Sequence, residues 1–184
     1  MARCSARIIG VGTNATIFIG GLLAWSFVEY AIHAWLGHVF NSFVKPIHDV
    51  HHRDPHAVFT IGAWIPIALT WLGGLIVFGL TLGVKFYSAM LAGFILYEAM
   101  HYRVHFRTPS NPFEAKLRAR HMIHHYRNSN RCFGVTSALW DITFGTELRG
   151  IEMKRAVEAV ALTPPLKGPT NLRRLIYFWT PRAQ

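Results

Sequence analysis

Long apolar runs alternate with short polar, basic segments along this chain. Residues 8–28 carry no charged side chain, residues 55–84 carry none, and Lys85 is the only charge between Pro55 and Tyr97. Uncharged runs of 18 or more residues have the length of membrane spans. Two such runs, with a further apolar stretch after Lys85, leave too little polar surface in so short a chain to enclose them as buried helices of a soluble protein. Residues 8–40 read as one long apolar helix, and residues 58–104 have room for two spans of about 20 residues each. The break between those two is expected at Leu82-Gly83-Val84-Lys85. A short helix opens at Lys45-Pro46 and closes at Asp54-Pro55, because proline disfavours helix in the residue before it.

Residues 110–127 carry the clearest signals of a polar helix. Asn111 suits the N-cap, Pro112 the first helical position, and Glu114 has capping-box spacing. Phe113, Leu117, His121 and His124 lie along one stripe, while Lys116, Arg118, Arg120 and Arg127 lie mostly away from it. The histidines are therefore expected to face protein and the cations water or lipid head groups. Residues 150–184 are basic, contain Pro164-Pro165 and end in a Tyr/Phe/Trp patch, which reads as an interfacial tail.

Composition sharpens this picture. The chain of 184 residues is 52% hydrophobic and 15% charged, against about 25% charged in typical soluble proteins. Its net charge of +10 is concentrated at the polar ends of the apolar runs: Lys45, Arg53, Arg103, Arg107, Lys116, Arg118, Arg120, Arg127 and Arg131. Anionic lipid head groups suffice as partners for these cations. No nucleic-acid motif is present, and the positive-inside rule puts these ends on the cytoplasmic face. Three full spans agree with this only if the N-terminus lies on the opposite side. Arg3 and Arg7 argue against that, and a bend at Gly20-Gly21, turning residues 8–40 into a hairpin, is the alternative. Cys4 and Cys132 have no metal or redox spacing and read as unpaired.

The chemistry lies in the histidines. Ten of the 11 fall into four clusters, His33/His38, His48/His51/His52, His101/His105 and His121/His124/His125. Random placement would give roughly 0.04 His-x2-His-His matches, and the chain has two. Residues three and four apart share a helix face, so each triple is expected to converge on one point and His101/His105 to act as a pair. His33 and His38 are five apart and need the helix to end or distort, which Gly37 eases. Imidazole is the commonest metal-ligating side chain. Ten exceed the need of one ion, whereas two ions with four or five each would use the set. Nitrogen ligands suit iron, zinc, copper or nickel. Open metal positions beside lipid point to oxygen chemistry on an apolar substrate. A metal transporter would instead place ionisable residues along the middle of its spans. His56, outside the clusters, reads as a surface residue.

The segments Trp25-Ser-Phe-Val-Glu-Tyr-Ala-Ile-His33, His48-Asp-Val-His-His52, Tyr97-Glu-Ala-Met-His-Tyr-Arg-Val-His105 and His121-Met-Ile-His-His125 resemble the fatty acid hydroxylase/sterol desaturase superfamily. With Phe133-Gly-Val-Thr-Ser-Ala-Leu-Trp-Asp141 and Phe144, the likeness is strongest to its fatty acid 2-hydroxylase branch and covers about residues 25–147. Two positions depart from it: Ala34 stands where arginine often follows the first histidine, and His56 has no counterpart. The resemblance implies an all-α integral membrane fold of three to four transmembrane helices, with a cytoplasmic helical cap around a histidine-rich dimetal site. It implies two iron ions on the ten clustered histidines (zinc is an alternative in recombinant material) and O2-dependent hydroxylation of a lipid acyl chain, with C2 the position of that branch. Larger members carry a fused cytochrome b5-like domain, so a separate donor such as cytochrome b5 or ferredoxin is expected. Carotenoid-ring hydroxylases and sterol-type desaturases or oxidases share the pattern and stay open. Glu29, one turn before His33, either accepts its second ring N–H or is a helix-packing acid buried among protein groups. Tyr97, Glu98, Tyr102 and Asp141 are candidates to support the ligands. The whole chain, 1–184, is expected to form one domain.

Overall fold

The computed structural model describes residues 2–60, 62, 64–168 and 176–177. Helix α1 (Ala2–Tyr30) runs through Gly20 and Gly21 as continuous helix, so the hairpin considered for residues 8–40 does not form. It passes directly into a π-helical segment, π1 (Ala31–Val39). Helix α2 (Val44–Arg53) follows, then the two-residue strand β1 (Phe59–Thr60), which pairs in parallel with β2 (Ile176–Tyr177).

Helix α3 (Trp64–Phe106) turns back on itself at Gly79, whose φ of 69° and ψ of 169° lie outside the helical region. That conformation is essentially restricted to glycine. The break therefore falls at Gly79, not at Leu82–Lys85. A row of apolar residues gives no sign of which glycine takes the left-handed turn. Gly83 stays helical and lies close to the other limb, where an added Cβ would sit 3.2 Å from the Gly74 carbonyl oxygen. The limb before Gly79 has 15 residues, or about 22 Å, short of the roughly 30 Å hydrocarbon core. The limb after it packs alongside α1. Lys85 Nζ donates to Asn14 Oδ1 at 2.6 Å, and Trp25 meets Phe94 edge-on at 5.1 Å. The two run in the same direction and bring His33/His38 and His101/His105 to one end. The N-terminus of α1 lies at the other.

Asn14–Val39 and Ile67–Phe106 are each long and apolar enough to cross a membrane. Their apolar side chains are largely uncovered by protein: Ile76 is 78% exposed and Leu80 74%. A helix that buries so little of an apolar surface fits lipid as its solvent, and the chain reads as membrane-spanning.

The remaining helices, α4 (Pro112–Tyr126), α5 (Leu139–Phe144) and α6 (Gly150–Leu162), join α2 in a layer at the histidine end. Helix α4 starts as its sequence signals predict. Asn111 Oδ1 accepts from the Glu114 backbone N–H at 2.9 Å. Glu114 reaches back to the Ser110 N–H at 2.9 Å and to Arg103 at 2.7 Å. The expectation that its cations face outward holds only in part, since Arg118 and Arg120 are 3% and 2% exposed. Helix α6 covers that side of α4, with Ala119, Cys132, Leu148, Ala156 and Val160 forming one apolar cluster. Residues 150–162 are thus a packed helix and not a tail. Of the terminal aromatic patch, Phe178 and Trp179 lie outside the described residues.

Candidate metal centre

The ten clustered histidines gather at one end of the α1/α3 bundle in two groups of five. The first is His33, His38, His48, His52 and His124; the second is His51, His101, His105, His121 and His125. Within each group one nitrogen per ring lies within 4.8 Å of the others. The groups share a wall, where the His52 and His125 rings stack at 4.4 Å.

The triples do not converge on single points. At about 100° per residue, i and i+4 lie only about 40° apart around a helix, whereas i and i+3 lie about 60° apart on the other side. His48 therefore joins His52 while His51 turns to the second group. Likewise His121 joins His125 while His124 turns to the first. His33 and His38 meet because π1 bonds i to i+5, a spacing that brings residues five apart onto one face; the Phe40 N–H donates to the Trp35 carbonyl at 2.7 Å in this pattern. Gly37 lets α2 approach closely, since a Cβ there would sit 3.2 Å from the His48 ring.

Backbone carbonyls fix the tautomers. A carbonyl can only accept, so the Nδ1 facing it carries the hydrogen and Nε2 presents a lone pair. His33 Nδ1 donates to the Phe133 carbonyl and His124 Nδ1 to the Arg131 carbonyl at 2.9 Å. His51 Nδ1 donates to the Ala57 carbonyl at 3.0 Å. His33 Nε2 and His124 Nε2 then face each other as lone pairs 2.9 Å apart, and His38 Nε2 lies 3.1 Å from His124 Nε2. Two facing lone pairs repel unless a cation lies between them, and a metal ion bound by neutral imidazoles meets that need. In the second group, His101 Nε2 lies 2.9 Å from His51 Nε2, and His121 Nε2 lies 2.8 Å from His105 Nε2. His125 is buried at both ring nitrogens with no protein partner among the described residues.

Burial keeps these rings neutral. It pushes His51 and His124 down to about 3, opposed by the carbonyl each ring faces, and neighbouring imidazoles add to the effect. His48, His121 and His125 are held well below the usual imidazole range, by burial first and nearby imidazoles second. Neutral imidazole is the form that binds metal.

The supporting carboxylates act through one loop. Glu29 does not reach His33. It accepts from the Val135 N–H at 2.6 Å, the Thr136 N–H at 3.0 Å and the Thr136 hydroxyl. Asp141 accepts from the Phe133 and Gly134 N–H groups, both at 2.8 Å, and from the Thr146 hydroxyl at 2.6 Å. It also pairs with Arg120, whose second partner is Glu147 at 3.2 Å. Two buried carboxylates thus clamp residues 133–136 beside the carbonyls that hold His33 and His124. Gly134 packs against the Ser137 carbonyl and Asp141 with no space for a side chain. Cys132, between the two carbonyls, takes a left-handed φ of 61°. Its thiol is free, and burial pushes it up to about 11.

Tyr97 packs its ring on His101 at 5.4 Å. Tyr102 stacks on Phe59 and Phe106 instead. Glu98 buries one carboxylate oxygen without a partner among the described residues. His56 pairs with Asp54 at 3.1 Å, apart from both groups. The carbonyls of Ala57, Arg131 and Phe133, and the Arg120–Asp141–Glu147 cluster, carry no motif of their own. Only the 133–141 segment as a whole stands out in the sequence.

A family model for fatty acid hydroxylases matches residues 18–146. The chain is 31% identical over 159 residues to the dihydroceramide fatty acyl 2-hydroxylase FAH1 of Arabidopsis thaliana, covering 78% of this chain and 67% of that protein. It is also 31% identical to the fission yeast ceramide very long chain fatty acid hydroxylase scs7, over 72% of this chain and 42% of the relative, and to mouse fatty acid 2-hydroxylase, over 71% and 39%. The chain thus spans about two fifths of the fungal and mammalian relatives. A solved structure of full-length scs7p, in which only the hydroxylase domain is visible, is 27% identical and superposes with a TM-score of 0.61 over 74% of this chain and 57% of the other. With the family model matching well over half its length, and the same fold in a solved relative, the chain belongs to the fatty acid hydroxylase family.

Proposed function

We propose that the chain is a membrane-bound lipid hydroxylase that holds two iron ions in its ten clustered histidines and oxygenates an acyl chain, at C2 as the names of its relatives suggest. The observation that carries this reading is two five-imidazole groups, with lone pairs facing each other, at the end of lipid-exposed helices. Iron bound there would supply dioxygen activation and abstraction of hydrogen from an alkyl carbon, with electrons from a separate reduced carrier such as cytochrome b5 or a ferredoxin. The chain's own residues orient ligands and exclude water. Carbonyls of residues 57, 131 and 133 fix three tautomers, and the Glu29 and Asp141 carboxylates hold the loop that carries the last two.

A cavity of about 310 Å³ lies between α1 and both limbs of α3, lined by Trp25, Val28, Ile32, Ile67, Trp71 and Tyr87 among others. Its size and apolar walls fall in the range of ligand sites. Its walls lie along the apolar length of the two candidate spans and reach Ile32, the residue before His33, so a hydrocarbon chain entering from the lipid would point toward the histidine end. In this reading α1 and the second limb of α3 traverse the bilayer, the shorter first limb dips into it from the histidine end, and the basic histidine face is cytoplasmic.

The test is lipid mass spectrometry of a host expressing the chain, beside His124→Ala. A gain of one oxygen on acyl chains, lost in the variant while membrane insertion persists, is the expected result. Oxygen gained on carotenoids or sterols alone, or product retained by His124→Ala, would overturn the reading.

A further inference from the structure

The two histidine groups differ in three respects that bear on how firmly each would keep an ion. The first is burial. In the second group His51, His101, His105 and His121 are all buried. In the first, only His33 and His124 are buried, while His38, His48 and His52 are partly exposed. A chelator must touch an ion to remove it, and the first group, with three partly exposed rings where the second has only His125, leaves the wider approach.

The second difference is the scaffold. Four ligands of the second group sit at i,i+4 spacing within two α-helices, His101/His105 on α3 and His121/His125 on α4. The first group has one such pair, His48/His52 on the ten-residue α2, and draws its other pair from π1; His124, like His125 of the second group, lies in the last turn of α4. π-Helical turns are rare and poorly populated in isolation, so other contacts must hold them.

The third difference is what holds the rings. His33 and His124 hang on carbonyls of the loop clamped by Glu29 and Asp141. Among the described residues those carboxylates hold no segment that orients the second group, where His51 alone is held by a carbonyl, that of Ala57.

We infer that the two sites are unequal: the His33/His38/His48/His52/His124 site exchanges its ion readily and depends on Glu29 as a positioning residue, while the His51/His101/His105/His121/His125 site retains its ion independently of Glu29. The inference rests on the proposed metal role of the histidines. It makes one ion replaceable in the folded protein, so the exposed site can be emptied and refilled while the buried one keeps the helices together.

Zinc alone, as a redox-silent ion, serves as the probe. Detergent-purified protein loaded with zinc is challenged with excess EDTA, and release is followed with a chromophoric indicator. Two phases of one ion each are expected, their rates differing by at least about tenfold. His38→Ala should remove the fast phase and leave the slow one. Glu29→Gln should speed the fast phase by about 10-fold, the lower end of the effect of losing a group bonded directly to a ligand, because Glu29 acts through the loop, with the slow phase unchanged. Thr136→Val, which removes one Glu29 contact and keeps the side-chain shape, should do the same more weakly, and decides the matter if Glu29→Gln fails gel filtration as a folded species. Release of both ions in one phase would overturn the inference, as would loss of the slow phase in His38→Ala or equal acceleration of both phases by Glu29→Gln. Protein that binds no zinc would instead overturn the metal reading itself.

Discussion

His124 spends its Nδ1 hydrogen on the Arg131 carbonyl and turns its Nε2 lone pair toward those of His33 and His38. One residue further on, His125 belongs to the other group. That the ten histidines gather into a set able to hold metal is legible in their clustering; how they divide is not. Division depends on the phase of each helix against its neighbours, since the i+3 and i+4 partners of one residue point about 100° apart around the axis. Gly37 is a second feature of this scale. Its place in the sequence suggests a distorted helix, but its demand is a close approach to His48. Gly37→Ala should cost about 1–3 kcal/mol by overpacking and push α2 outward. Thermal unfolding and zinc stoichiometry check this, with reduced zinc at the first group expected.

The 131–147 segment does for the site what no single helix does. Asp141 joins α4, through Arg120, to the loop that holds two ligands. Replacing it by asparagine leaves Arg120 with only Glu147 in a buried setting, and breaking a buried pair costs about 3–5 kcal/mol. Asp141→Asn should therefore lower the unfolding midpoint and loosen His33 and His124 together. Thermal melts, with the zinc-release traces of the same variant, read both effects. The N-terminus of α4 was legible because Asn111, Pro112 and Glu114 act within four residues. The burial of Arg120 was not, because its partners lie 21 and 27 positions away, at Asp141 and Glu147. The hinge of α3 was misplaced for a related reason. Gly73, Gly74, Gly79 and Gly83 all interrupt the same apolar run, and only packing of one limb on the other selects Gly79 for the turn.

At the scale of the molecule, apolar length and charge distribution made the membrane helices and the polar end layer readable. The packed position of α6 escaped notice because its residues suit an exposed amphipathic helix equally well. Elemental analysis of protein purified with iron present should find close to two metal ions per chain. Stripping them should lower the melting temperature, since an ion at a thousand times its dissociation constant stabilises by about 4 kcal/mol. A metal-free chain with the same melt would show that packing alone holds the ten rings together.

The exchange of single histidines between α2 and α4 has one more consequence. Cut the chain between β1 and α3, and the N-terminal fragment keeps His33, His38, His48 and His52 but lacks His124. The C-terminal fragment keeps His101, His105, His121 and His125 but lacks His51. Neither fragment contains a complete centre, and each carries the ligand the other is missing. The two halves of the polypeptide are interlocked through their two histidine groups as well as their helices, and either group is finished only when the whole chain has folded.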